Sequence, residues 1–197
     1  MYRTIKLLIL LVTSLFLAAC GGPNFIRPQS DELVLGSTSF NQVTAKMGEP
    51  SKTAALSVNS VPVKSATYSH AHAVPFSTIL AFKTLVCVFD RDILVSYDYA
   101  SSFQEERAAT SINDALVKGL ANGDTKSKVI ATLGRPGGEA IYPVANPKGS
   151  SVLRYTYLES YRVPFLPTPR ITKKIVTVKL DSNEVVTEIS TVESKPE

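Results

Sequence analysis

The sequence contains no tryptophan, only two histidines and only two cysteines among 197 residues. Two cysteines exclude a disulfide-rich scaffold and a zinc site held by four cysteines. The formal net charge of +4 is small and the basic residues are scattered, whereas nucleic-acid binders carry a concentrated basic face. A hydrophobic fraction of 44% is typical of globular proteins. We therefore expect a folded chain with no nucleic-acid partner.

The sequence also lacks the motifs of common enzymes. It has no GxSxG nucleophile elbow, no HExxH zinc motif and no glycine-rich phosphate-binding loop. His70 and His72 are spaced to share one face of a strand, but no third metal ligand is identifiable near them. We expect no catalytic residues, no metal, no cofactor and no small-molecule substrate. A metal binder or small enzyme that uses the two histidines is the weaker alternative.

The first twenty residues have the layout of a secretory signal peptide. Arg3 and Lys6 precede an apolar run over residues 7–17, and small residues follow it. The run is too short for the ~20 apolar residues that span a bilayer, and the Gly-Gly-Pro sequence soon after it would break a helix. We predict a cleaved signal peptide over residues 1–19.

The segment Leu17-Ala18-Ala19-Cys20 resembles a bacterial lipobox. In lipoproteins of that family, cleavage falls before the cysteine, whose thiol carries a diacylglyceryl group and whose amino group is usually acylated as well. The resemblance therefore implies that Cys20 is the lipid attachment site and that the membrane is one partner, since several acyl chains anchor stably. Gly21 stands where an Asp favours inner-membrane retention, which implies an outer-membrane location, periplasmic-facing or surface-exposed. An ordinary signal peptide with a chance cysteine is the alternative.

The two ends of the mature chain have the composition of irregular segments. Two prolines and two glycines within residues 21–30 favour a flexible tether, which with the lipidated cysteine spans residues 20–30. Residues 193–197 lack apolar side chains, and we expect a disordered tail there. Cys87 lies in an apolar, β-branched run, where a free cysteine is expected to be a small buried hydrophobe.

The chain between these ends repeats itself. Residues 39–50 match residues 125–136, with Val, Ala, Gly and Pro in the same places. A Val-Pro-Phe motif that begins at Val74 recurs at Val163, in the same order along the chain. Matches in the same order predict an internal duplication. The predicted repeats are residues 31–103 and 104–192.

Each predicted repeat begins with helices. Phe40, Val43 and Met47 are spaced along one helical face, and Gly48 follows where the end of a helix requires positive φ. Gly134 takes the same place in the second repeat. A further helix is predicted over residues 104–120, with a shorter counterpart at the start of the first repeat.

The rest of each repeat is predicted to form strands. Residues 85–89 and 93–99, and likewise residues 175–180 and 185–191, are apolar or alternating runs around a short polar turn, which predicts two antiparallel hairpins. Residues 153–157 mark an earlier strand of the second repeat. The expected fold class is α+β, with two tandem repeats that each pack two helices on one face of an antiparallel sheet. The other face of the sheet would remain open.

These segments resemble a known family of domains. The helix that ends in Gly48-Glu49-Pro50 and the closing Phe89-Asp90 hairpin resemble the SmpA/OmlA/BamE type of outer-membrane lipoprotein domain. A tandem duplicate of that domain is similar to the β-lactamase inhibitor protein-like fold. The resemblance covers nearly all of residues 31–192, and it transfers no functional residue besides Cys20.

Aromatic residues supply the candidate partner-binding positions. Four tyrosines lie in predicted strands, and a phenylalanine lies in the Pro-rich stretch over residues 163–170. Tyrosine gives large contact area at low entropic cost, so we predict that some of these tyrosines lie on the open face and that at least one contacts a partner, with the 163–170 loop at the rim. Alternatively, the rings fill half-buried sheet positions, because a shift of one residue would turn them to the core. The candidates are Tyr97, Tyr99, Tyr155, Tyr157 and Phe165.

The sequence therefore predicts a non-enzymatic outer-membrane lipoprotein that binds a protein partner as an accessory in envelope assembly or maintenance. The alternative is an inhibitor protein that binds and caps a periplasmic or extracellular enzyme. An assembly factor would co-purify with membrane proteins, whereas an inhibitor would bind its purified enzyme without lipid.

Overall fold

The structure is a computed structural model, and it describes residues 22–73, 80–107, 112–161 and 170–194. The predicted signal peptide, Cys20 and Phe165 lie outside the described residues. Within the described ranges, no helix has the length and apolarity that crossing a bilayer requires.

One antiparallel sheet of eight strands makes up most of the described chain. Its strands lie side by side in chain order, and each pairs with the next. Four short helices accompany the sheet in the described ranges. The elements are α1 (Phe40–Met47), β1 (Lys52–Val58), β2 (Val61–Ala73), β3 (Leu80–Asp90), β4 (Ile93–Ser101), α2 (Gln104–Arg107), α3 (Asp114–Lys118), α4 (Lys126–Leu133), β5 (Gly138–Ile141), β6 (Ser151–Tyr161), β7 (Arg170–Leu180) and β8 (Val186–Ser194).

The expected α+β class with two helices in each repeat is wrong. The sheet is continuous, and the molecule is predominantly β, with helices of only four to eight residues in the described part. Residues 30–37 form turns where a short helix was expected. The helix predicted over residues 104–120 is interrupted before Asp114. Its described residues contain α2 and α3, and the Asn113 side chain caps the start of α3 by accepting a hydrogen bond from the Ala115 N–H at 2.9 Å.

The helices α1 and α4 begin and end alike, and four strands follow each of them. Ser39 and Thr125 each accept a hydrogen bond from a backbone N–H of the first turn, at 3.2 Å in both cases. Gly48 and Gly134 follow the helices with φ of 80° and 79° and ψ of −170° and −167°. The predicted positive φ is confirmed, but ψ is extended rather than left-handed helical, a region almost restricted to glycine.

The helices cover one face of the sheet, which we call the helix face. Two clusters of buried side chains lie there, one beneath β2–β4 and the other beneath β6–β8. Leu85 and Phe89 are fully buried in the first cluster, and Leu153 and Val178 are fully buried in the second. Cys87 is buried as predicted, and burial raises the pKa of its thiol to about 12, so the reactive thiolate is disfavoured.

Residues 22–30, which we call the strap, follow irregular backbone across the helix face. Phe25 is only 8% exposed, and its ring meets the Tyr99 ring edge to face with 6.2 Å between centroids. The tether expected over residues 20–30 is therefore docked over its described part, because the sheet buries a large aromatic side chain of the segment.

Two arginines tie the strap to the start of β5. The Arg27 guanidinium donates a hydrogen bond to the Pro136 carbonyl oxygen at 2.7 Å. In return, the Arg135 guanidinium donates to the Pro28 carbonyl oxygen at 2.5 Å. Since Phe25 packs on the first cluster and Arg27 reaches the α4–β5 connection, the strap links the two halves of the sheet.

Candidate functional site

The side of the sheet opposite the helix face, which we call the open face, carries a row of mostly small or polar side chains across all eight strands. Each member of the row pairs with the next through the sheet register, and paired residues point to the same side. The row is Lys52, Thr67, Val86, Asp98, Gly138, Arg154, Thr177 and Ser190.

Asp98 and Arg154 form an ion pair at the centre of this row, although β5 lies between their strands. Arg154 Nη1 donates to Asp98 Oδ2 at 3.0 Å. Gly138 permits this contact, because a Cβ there would lie 2.9 Å from Asp98 Oδ1 and 2.7 Å from the Tyr97 carbonyl oxygen. The Thr156 hydroxyl donates to Asp98 Oδ1 at 3.4 Å. The two charged side chains are 24% and 32% exposed, so a partner can reach a partly desolvated pair.

Large apolar side chains are exposed toward both edges of the open face. Leu56 of β1 is 49% exposed, Ile171 of β7 is 39% exposed and Val192 of β8 is 63% exposed. Between them, small side chains such as Ser96 and Ala140 are buried in the sheet surface. The face therefore has a centre of small residues with apolar side chains on either side.

The second half of the open face, formed by β5–β8, carries one positively charged side chain more than its ion pairs neutralise. Lys179 pairs with Glu188 at 2.7 Å, and Arg154 pairs with Asp98. Lys173 is exposed on β7 and pairs with no acidic side chain in the part of the chain that the structure describes. A negatively charged partner surface would complement this half.

The predicted tyrosines lie on the helix face. Tyr97, Tyr99 and Tyr155 are 5%, 1% and 6% exposed. The register between β3 and β4 shifts at a β-bulge near Val95, so that Leu94 and Tyr97 both point to the core. The expectation that some of the tyrosines lie on the open face is therefore wrong for these three.

Hydrogen bonds made by their hydroxyl groups offset the cost of burying these tyrosines. The Tyr97 hydroxyl donates to Glu139 Oε1 at 3.0 Å, and the Tyr155 hydroxyl donates to the Gly134 carbonyl oxygen at 3.1 Å. Burial raises the pKa of both phenols well above the usual value. Tyr157 is half-buried on the same face, opposite a β7 lysine. The contact role of the tyrosines stays a prediction.

A charged cluster lies on the helix face beside the strap. Lys83, whose side chain is 7% exposed, pairs with Glu106 at 3.1 Å, and Glu106 also accepts a hydrogen bond from the Tyr99 hydroxyl. The Lys83 ammonium lies 5.5 Å from the centre of the Phe25 ring. Burial pushes the pKa of Glu106 up, but hydrogen bonds from Ser101, Tyr99 and Lys83 hold it below its usual value. The charges of the cluster are paired with each other, and the contact of Lys83 with the Phe25 ring helps to hold the strap in place.

The histidine pair belongs to the same region. The His70 ring stacks on Phe103 with 5.9 Å between centroids, and His70 Nδ1 lies 3.0 Å from the Gly22 carbonyl oxygen. His72 is exposed. No group of three or more His, Cys, Asp or Glu side chains in the described ranges could hold a metal ion. His70 therefore contacts the strap.

Two open clefts border the loop between β5 and β6, with volumes of about 630 and 770 Å³. Their walls mix polar and charged groups, and Lys126 in the larger cleft pairs with Glu139 at 3.6 Å and with Glu184 at 3.3 Å. Asp181 bonds to the backbone N–H of Val185 at 2.9 Å, as expected of a turn residue. Small-molecule sites are mostly apolar and bury most of their ligand, and neither cleft has that character.

No protein-family model matches the chain, and no curated protein matches it in sequence. The fold is similar to that of a Streptococcus mutans protein described as a "putative beta-lactamase inhibitor protein", with 12% identity and a TM-score of 0.46. The match covers 80% of this chain and 83% of that chain. The expected SmpA/OmlA/BamE resemblance has no matching family model. At this level of similarity, the neighbour's name assigns no function to this chain.

Sequence reasoning missed the centre of the open face. Asp98 and Arg154 are far apart in the sequence, and nothing in either segment indicates that a glycine separates them in space. The available signal was the alternation of Ser96, Asp98 and Ala100 along β4, because small and polar residues mark the face that the helices leave uncovered.

Proposed function

We propose that this chain is a lipid-anchored protein that binds another protein through its open face. The observation that carries the proposal is the Asp98–Arg154 ion pair, which lies partly exposed among small side chains at the centre of the sheet. Small residues leave space above the pair for side chains of a partner. Arginine is also enriched among the residues that contribute most to protein interfaces.

The size of the open face supports a protein partner rather than a small ligand. Eight strands at a spacing of about 4.8 Å make a face roughly 34 Å wide. The strands other than the four-residue β5 have at least seven residues, or about 20 Å, so the area approaches the roughly 800 Å² that each partner buries in a standard interface. The exposed side chains of Leu56, Ile171 and Val192 supply apolar contact area on this face.

The lipid anchor is supported by the sequence Leu17-Ala18-Ala19-Cys20. We expect the mature protein to begin at Cys20, with a diacylglyceryl group on the thiol and an acyl group on the amino terminus. Mass spectrometry of the mature N-terminus tests this directly, with Cys20→Ala as the control that should lose both lipid and membrane attachment. An unmodified Cys20, or cleavage at another position, would contradict the anchor.

Affinity purification of the lipidated chain from detergent-solubilised membranes tests the binding role. Lys173→Glu reverses an exposed charge on the open face, and Lys118→Glu makes the same change at the end of α3. We expect a captured protein that Lys173→Glu loses and Lys118→Glu retains, with unchanged circular dichroism for both variants. If a folded Lys173→Glu variant and a folded Val192→Asp variant both retain every captured protein, the open face is not the interface.

The identity of the captured protein separates two forms of the proposal. A membrane-assembly protein would support an accessory role in envelope assembly or maintenance. An enzyme whose activity falls when the purified, unlipidated chain binds it would support an inhibitor role. The open face and its charge are the same in both forms, so the variants above apply to either.

A further inference from the structure

The strap determines where the chain leaves the folded body. Gly22 lies beside β2, with its carbonyl oxygen 3.0 Å from His70 Nδ1. A Cβ on Gly22 would collide with the Ser69 carbonyl oxygen, so the strap passes β2 in close contact. Ser69 and His70 are near the end of β2, which runs to Ala73.

Docking of the strap shortens the free chain between a lipid on Cys20 and the body. An undocked chain from Cys20 to Asp31 could extend over about 36 Å, at ~3.3 Å per residue. Because Gly22 is docked, only Gly21 lies between Cys20 and the body, and the two residue steps from Cys20 to Gly22 extend over about 7 Å. An anchor that short restricts how the body can turn relative to the bilayer.

The described side chains of Ser51, Lys52, Ser69 and His72 around this exit point are polar. The Ser69 N–H donates to the Ser51 hydroxyl at 3.0 Å, which places the start of β1 beside the end of β2. Lys52 and His72 are exposed there. We call Ser51, Lys52, Ser69 and His72 the anchor corner. Its hydroxyl and basic groups suit contact with phospholipid headgroups and provide no apolar patch for insertion.

We propose that the strap orients the body so that the anchor corner rests on the phospholipid headgroups of the membrane. The proposal rests on the lipid anchor of the proposed function. The connection between β7 and β8 lies at the opposite end of the strands and at the opposite side of the sheet, and it therefore points away from the bilayer. In this orientation the open face is roughly perpendicular to the membrane surface, and a partner can therefore reach it from the side.

Fluorescence quenching in vesicles tests the orientation. The full-length lipidated protein would be reconstituted into phosphatidylethanolamine–phosphatidylglycerol vesicles that contain a headgroup-quencher lipid. One fluorophore would be attached to His72→Cys at the anchor corner or to the matched control Ser182→Cys in the β7–β8 turn, both exposed. Cys87 is fully buried and should not compete for the label. We expect quenching at position 72 to exceed quenching at position 182 severalfold.

Equal quenching at the two positions, in protein whose lipid on Cys20 is verified by mass spectrometry, would overturn the orientation and leave the anchor intact. Absence of the lipid would instead overturn the proposed anchor. The two failures are therefore distinguishable.

Release of the strap provides the second arm of the test. Phe25→Ala with Arg27→Ala removes the buried ring and the bond to Pro136, and we expect it to abolish the difference between the two label positions while vesicle binding is retained. Ile26→Ala, at a strap residue that is 84% exposed, should keep the difference. If the double variant is unfolded in a thermal melt, Arg27→Ala alone replaces it and should reduce the difference. A difference that survives in a folded, strap-released variant contradicts the proposal.

Discussion

Glu106 connects the buried Lys83 ammonium to the Tyr99 hydroxyl, and both contacts favour its ionised form. The pKa of Glu106 is therefore lower in the folded protein than the ~4.3 of an unfolded chain. A lowered folded-state pKa stabilises the protein fully above the unfolded pKa, and this stabilisation is lost as pH falls through the folded pKa. Below about pH 4.3, we expect the free energy of unfolding to fall more steeply with acid for wild type than for Glu106→Gln.

Urea denaturation at a series of pH values measures this difference. Glu105→Gln is the matched control, because Glu105 is the exposed neighbour and its pH profile should follow wild type. Identical slopes for wild type and Glu106→Gln would show that the cluster does not depend on the charge of Glu106.

At the scale of single residues, the sequence predicted some environments and failed on others. The burial of Cys87 and the turn role of Asp181 followed from their local neighbours. The face of Tyr97 did not, because the bulge near Val95 inserts a residue into the alternation and only strand pairing reveals it. The Asp98–Arg154 pair could not be predicted either, since it requires three strands to be in register.

At the scale of elements, Gly48 and Gly134 test the equivalence of α1 and α4. Nothing lies within 4 Å of a Cβ built on either glycine, so a valine there would meet backbone strain and no collision. A positive φ with an extended ψ is nearly closed to residues other than glycine, and we expect each Gly→Val variant to lose about 1–3 kcal/mol. Thermal melts should show similar losses at the two positions.

The control for these variants is Gly119→Ala, because Gly119 has a φ of −78° that any residue adopts. Its melting temperature should fall by less than that of either valine variant, because the closest contact of an added Cβ is 3.3 Å, to the Leu116 carbonyl oxygen, and there is no backbone strain. A large loss at only one of Gly48 and Gly134 would contradict the equivalence of the two helix ends.

Elements with a strong apolar pattern were predictable, and those with a weak pattern were not. The hairpin of β3 and β4 and that of β7 and β8 followed from apolar runs around polar turns. The hairpin of β1 and β2 was not located, apart from a shared strand face for His70 and His72, because its residues are mostly Thr, Ser, Ala and Lys and show no strong apolar alternation. A continuous helix was expected over residues 104–120, because the helix-forming composition of this segment gave no indication that Asn113 caps a new helix start.

At the scale of the whole molecule, the strap joins both halves of the sheet. Phe25 is 8% exposed in the first core cluster, whereas the adjacent Ile26 is 84% exposed. We expect Phe25→Ala to lower the free energy of unfolding by about 3 kcal/mol, and Ile26→Ala to change it by less than about 0.5 kcal/mol. Denaturant titration of the mature chain measures both. Equal effects of the two variants would mean that the strap is not docked in solution.

The central claim is that the open face binds a protein, and hydroxyl-radical footprinting of the purified complex tests it most directly. Exposed apolar side chains on both sides of the molecule serve as reporters. Leu56, Ile171 and Val192 lie on the open face, whereas Ile26 and Leu116 lie on the strap and on α3. We predict that the first three lose reactivity when the partner binds and that the other two keep it. Protection of Ile26 and Leu116, with the three open-face residues unchanged, would contradict the claim.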